Sequence, residues 1–131
     1  MDEPAIILVV DDDDDFREML AVTLLGEGYA PVTASSGREA LDVLRKGCKP
    51  ALLLLDFYMP GMNGDAFLRE SRAMVGFVDV PAIMMTGDHL VLDSAASREA
   101  NAVLRKPFRP EVAVGTIKGL LGMRSSRAPL A

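Results

Sequence analysis

Tryptophan is absent from this chain, and histidine and cysteine occur once each among 131 residues. The lone Cys48 excludes an internal disulfide and fits a reducing compartment. His89 has neither a second histidine nor a cysteine close by, so the ligands of a zinc site are missing. Long apolar runs are missing too: the longest are "AIILVV" at 5–10 and "ALLLL" at 51–55. Both fall far short of the ~20 residues that cross a bilayer. The acidic start "MDEP" is unlike the positive opening of a secretory signal. Basic residues are the minority, 14 against 19 acids, and a net charge of −5 argues against nonspecific nucleic-acid binding. Half the residues are apolar and a quarter charged, which suits one folded, cytoplasmic domain with a single core.

The acids are unevenly placed. Seven of the nineteen lie in the first fifteen residues, five of them consecutive, Asp11–Asp15. Beyond Lys106 the only acid is Glu111, among Arg109, Lys118, Arg124 and Arg127. Charge pattern alone leaves two readings open: two solvated faces, or an acidic cation pocket opposite a basic partner-facing helix.

Hydrophobic runs alternate with segments of helical period. Residues 5–10 are apolar at every position, as in a strand covered on both faces. Phe16, Met19, Leu20, Thr23 and Leu24 then fall on one helical face, which "GEG" at 26–28 closes. A strand over 31–35 follows, and Ser35 or Ser36 caps a helix ending at Gly47. Strands over 51–56, 80–87 and 102–105 and helices over 65–74, 90–100 and 110–122 complete the series. Fully apolar strands alternating with helices predict an α/β fold, a doubly wound, flavodoxin-like (βα)5 sheet of five parallel strands in order 2-1-3-4-5. Ligands bind such sheets beyond the carboxyl ends of the strands. There the spacing gathers Asp11, Asp12, Asp56, Thr86 and Lys106, up to 95 positions apart. Crowded carboxylates call for a cation, and an all-oxygen set suits Mg²⁺. A carboxylate can also accept a phosphoryl group, whose charge a metal and a lysine then neutralise.

"ILVVDDD", "LLLLDFYMPGMNG", "IMMTG" and "RKPF", in this order, resemble the receiver domain of two-component response regulators, the CheY-like family, over residues 4–122. The resemblance implies that Asp56 is phosphorylated by a sensor histidine kinase or a phosphotransfer protein. It further implies Mg²⁺ held by Asp12, by Asp11 through water, by Asp56 and by the backbone carbonyl of Tyr58. Lys106 and Thr86 would contact the phosphoryl oxygens, and Lys106–Pro107 would be cis. Tyr58 and Asp88 match positions that tune phosphate lifetime. A downstream protein would dock on the face formed by 90–122, and the Phe16 helix would face the kinase. Residues 1–122 would be the receiver domain and 123–131 a tail or linker stub, either of a stand-alone domain or of the receiver portion of a larger transcriptional regulator. Such a domain performs no catalysis beyond its own phosphorylation and hydrolysis.

The chain departs from the family at Val103, the switch position, where Tyr or Phe is usual, and at Glu99, where Gly is common. A valine with one stiff torsion cannot exchange inward and outward as a ring does. A rival reading is a haloacid-dehalogenase-like phosphatase, with Asp11 as nucleophile and Asp13 as second acid of a strand-end "DxD". Within the aspartate run, Asp13 or Asp14 is expected to cap the following helix, with Asp15 in its first turn.

Overall fold

The computed structural model describes residues 3–87 and 99–127, with side chains described as far as 122. Five strands, β1 (Ile6–Val10), β2 (Ala30–Ala34), β3 (Leu52–Asp56), β4 (Ala82–Thr86) and β5 (Ala102–Arg105), form one parallel sheet in the order β2-β1-β3-β4-β5. Among the described residues the helices are α1 (Asp14–Gly26), α2 (Gly37–Arg45), α3 (Gly64–Arg72) and α4 (Pro110–Arg127). This is the flavodoxin-like arrangement that the apolar runs predict. No helix among the described residues is long and apolar enough to cross a membrane.

Alternation along the strands splits the core into two layers. Leu8, Val10, Leu53, Leu55, Ala82 and Met84 face α2 and α3, where Ala40, Leu41, Leu44, Phe67 and Leu68 are buried against them. Ile7, Val9, Leu52, Leu54, Ile83 and Met85 face α1 and α4, meeting Leu20, Leu24, Ala113 and Ile117. A strand buried on both faces has no polar positions, which is why the runs at 6–10 and 52–55 read as continuous apolar sequence.

Local chemistry moves several boundaries from their expected places. Ser35 leaves the second strand because its amide and hydroxyl both donate to the Glu39 carboxylate, at 3.0 and 2.7 Å. Ser36 is the cap of α2, its hydroxyl accepting from the Glu39 amide at 3.1 Å. The two serines and Glu39 thus act as a capping box extended by one residue. These bonds hold Glu39 below the usual carboxylate range, chiefly the bond from the Ser35 hydroxyl. The fourth strand is shorter than 80–87, its ladder beginning at Ala82. Asn63 caps α3, accepting from Ala66 at 2.8 Å, so that helix starts at Gly64 and ends at Arg72 rather than spanning 65–74. The terminal helix runs on to Arg127, past the expected end at 122. The helix expected over 90–100 falls largely in 88–98, outside the described residues, as do Asp88 and His89.

Candidate functional site at the carboxyl edge of the sheet

Parallel pairing brings the strand ends to one rim. Val10 lies opposite Leu55, Asp56 opposite Met85 and Thr86 opposite Arg105, so Asp11, Asp56, Thr86 and Lys106 emerge at the same edge. Asp11 is fully buried; its Oδ1 accepts from the Asp13 amide at 2.9 Å and its Oδ2 from Lys106 Nζ at 2.9 Å. The same ammonium lies 3.4 Å from Asp56 Oδ1. Asp56 is itself buried at the end of β3, and Asp12 beside it is exposed. Thr86 is buried at the end of β4, and its carbonyl accepts from the Lys106 amide at 2.8 Å. The Lys106–Pro107 bond is cis, as the family resemblance implies.

Burial raises the Asp56 carboxyl to about 7, reinforced by the neighbouring Asp11 charge and a bond from Asp12, and opposed by Lys106. For Lys106, burial works to lower the pKa, but the bond to Asp11 and the charges of Asp56 and Asp11 outweigh it and raise it. One ammonium therefore does not offset the whole carboxylate cluster. Ligand oxygens of Asp11, Asp12 and Asp56 all lie within 4.8 Å of one another. An all-oxygen, undercompensated acidic set of this size fits a hard divalent cation such as Mg²⁺.

The remaining aspartates build the start of α1. Asp13 is its cap, accepting from the Phe16 amide at 3.1 Å. Asp14 pairs with Arg17 at 2.6 Å, and Asp15 joins it in the first turn. Asp13 points its carboxylate at the helix, not into the acid cluster, which removes the second acid of the "DxD" reading. Arg17 also donates to the Asp11 carbonyl at 2.7 Å, tying the loop that carries Asp11 and Asp12 to α1. Sequence reasoning missed Arg17; its spacing of three from Asp14 was the available signal. Phe16, expected on the inward face of a kinase-docking helix, also meets the site: Lys106 Nζ sits 4.5 Å from its ring centroid.

The turn after Asp56 explains "PGMNG". Gly61 has φ +81°, a conformation that glycine adopts freely. A Cβ on Gly64 would lie 2.5 Å from the Asp56 carbonyl and 2.8 Å from Met84 Sδ, so only glycine lets α3 start this close to the acid. Tyr58 is half exposed, its ring edge-on to Phe57 at 4.9 Å. Val103 is not on the rim; it lies opposite Met84, partly buried in the layer facing α2 and α3.

A family model described as "Response regulator receiver domain" matches residues 7–118. The DNA-binding response regulator MtrA of Mycobacterium tuberculosis is 38% identical over 117 residues, 88% of this chain and 50% of that protein. The chain thus spans about half the length of the curated relatives it matches. A putative response regulator from Chloroflexus aurantiacus is similar in structure, with TM-score 0.83 and 36% identity over 91% of this chain and 98% of that one. The response regulator TrrA from Thermotoga maritima, solved in complex with Mg(2+)-BeF, gives TM-score 0.80 and 33% identity over 88% of this chain and 98% of its own.

Proposed function

The chain belongs to the response regulator receiver domain family, and on that premise we propose that Asp56 is its phosphoryl acceptor, loaded from the phosphohistidine of a sensor histidine kinase or a phosphotransfer protein. The observation that carries this assignment is the placement of Asp56: a buried carboxylate at the end of β3, within 4.8 Å of two further acids and 3.4 Å from Lys106. In the transfer an Asp56 carboxylate oxygen bonds to phosphorus as the phosphorus–nitrogen bond of the donor breaks. The imidazole leaves with its electron pair. Asp12, Asp56, the Tyr58 carbonyl and, through water, Asp11 would hold Mg²⁺, which would supply positive charge to neutralise the phosphoryl oxygens. Lys106 turns its ammonium from the carboxylates to the transferred group, and the Thr86 hydroxyl donates to it. Tyr58, together with Asp88 beyond the described residues, sets how readily water reaches the acyl phosphate. The relative solved with Mg(2+)-BeF supports this reading, since a beryllium fluoride has the tetrahedral shape of a phosphoryl group.

Phosphorylation then alters the output surface over 90–122 for a downstream protein, without an aromatic exchange at Val103. The relatives of twice this length are DNA-binding regulators, which favours a second element to the proposal: residues 1–122 are the receiver portion of a cytoplasmic transcriptional regulator, and 123–131 its tail or linker stub. Treatment with acetyl phosphate and Mg²⁺, followed by mapping of the modified residue, tests the assignment. Label on Asp56, absent from Asp56→Asn, is expected. Label on Asp11 would revive the phosphatase reading and end this one.

A further inference from the structure

We propose that Phe16 is a positioning residue for Lys106, holding the ammonium over its ring so that it faces Asp11 and Asp56 before phosphate arrives. The inference deepens the phosphoryl-acceptor reading and rests on it for its kinetic consequence. Lys106 Nζ stands 4.5 Å from the Phe16 centroid, well inside the ~6 Å reach of a cation–π contact. The backbone that carries the ring and one edge of the ring itself are both held. Its own backbone amide is tied to the Asp13 cap at 3.1 Å, and Phe108 meets it edge-on at 5.6 Å and 81°. An ammonium has three donors; two are directed at Asp11 Oδ2 and Asp56 Oδ1, at 2.9 and 3.4 Å, which leaves one for the ring. The Lys106 side chain is three-quarters buried, so little water competes for it. A leucine would fill the same helical position against the inner face, but it offers no negative π-face. The aromatic identity of residue 16 therefore serves the site as well as the core.

The test replaces Phe16 in the full chain with phenylalanines carrying one, two and three ring fluorines, which keep the ring's shape while draining its π-face. Alongside these stand Phe16→Leu and Phe16→Trp. Two quantities are read: the rate of phosphorylation by acetyl phosphate with Mg²⁺, in which acetate leaves as the Asp56 oxygen–phosphorus bond forms, and the ring-current displacement of the Lys106 ε-methylene protons by NMR. The rate should fall stepwise with fluorine count, reaching about 3- to 10-fold below the parent in the trifluoro chain and in Phe16→Leu. Phe16→Trp should retain it. The ε-methylene displacement should vanish in Phe16→Leu. A rate flat across the fluorine series, or one that rises, overturns the proposal, because a purely packing role is indifferent to ring electrons. Label found away from Asp56 would overturn the acceptor reading and the kinetic half of this inference with it. The ε-methylene displacement would still decide the contact: its loss in Phe16→Leu supports it and its persistence refutes it.

Discussion

Lys106 is bonded more closely to Asp11 than to Asp56, at 2.9 against 3.4 Å, across 95 residues of sequence. The cation of the site therefore rests on the carboxylate that lies deepest, leaving Asp56 with weaker compensation. A metal held there would compete with the ammonium for the same oxygens. Lys106→Ala is expected to bind Mg²⁺ about 2- to 10-fold more tightly, since a competing positive charge is gone, while phosphorylating at least about tenfold more slowly. Isothermal titration and acetyl phosphate kinetics on one preparation check both; weaker Mg²⁺ binding would show that Lys106 organises the metal site instead.

The raised Asp56 pKa has a defined sign in stability. Unfolded, the group ionises near 3.8; folded and metal-free, near 7. Its favourable contribution is complete below about pH 4 and is lost as pH climbs through about 7, because the unfolded chain gives up the proton first. In chelator, urea melts should show stability declining over that window, and Asp56→Asn should remove most of the decline. At pH 8 the variant should exceed the parent by on the order of a few kcal/mol. A parent whose metal-free stability rises from pH 5 to 8 would contradict this.

Gly64→Ala places a methyl carbon against the Asp56 carbonyl and the sulfur of Met84. Backbone cannot retreat as a side chain does, so a loss of about 1–3 kcal/mol is expected, with slower phosphorylation because the peptide carrying Asp56 shifts. Gly61→Ala, strained by its φ of +81° but in open space, should cost about 1 kcal/mol and leave the rate intact. Chemical denaturation and phosphorylation rates separate the two.

Neighbours in the aspartate run should behave as opposites. Asp12→Ala is expected to abolish Mg²⁺ binding at near-parental stability. Asp13→Ala should lose about 1 kcal/mol from the missing cap and still bind Mg²⁺. If Asp13→Ala lost the metal and Asp12→Ala kept it, the division of the run drawn from the Asp13–Phe16 bond would be reversed.

How far the sequence carries depends on which force placed each residue. Strands buried on both faces announce themselves, and a parallel sheet puts their last residues on one rim; Asp11, Asp56 and Lys106 follow from that alone. The split between Asp13 and Asp14 does not, since both are good caps and only the chain's exit angle from β1 decides. Phe16 reads as core because its helical period is that of core; a ring's second contact leaves no mark in periodicity. Spacing likewise places the end of α4 near Gly122, yet glycines 115 and 119 sit within the helix, and no proline intervenes before Pro129. Val103 reads correctly as a strand residue, and the layer it joins explains how a valine is accommodated there.

Among the described strands β5 pairs with β4 alone, at the edge of the sheet, and the lysine that reaches Asp11 and Asp56 follows it directly. Because the ribosome makes this strand after the other four, a nascent copy holds its three clustered acids before the lysine that offsets them exists. The charge balance of the rim is thus completed last, with the edge strand, and its acids stay uncompensated until the sheet is whole.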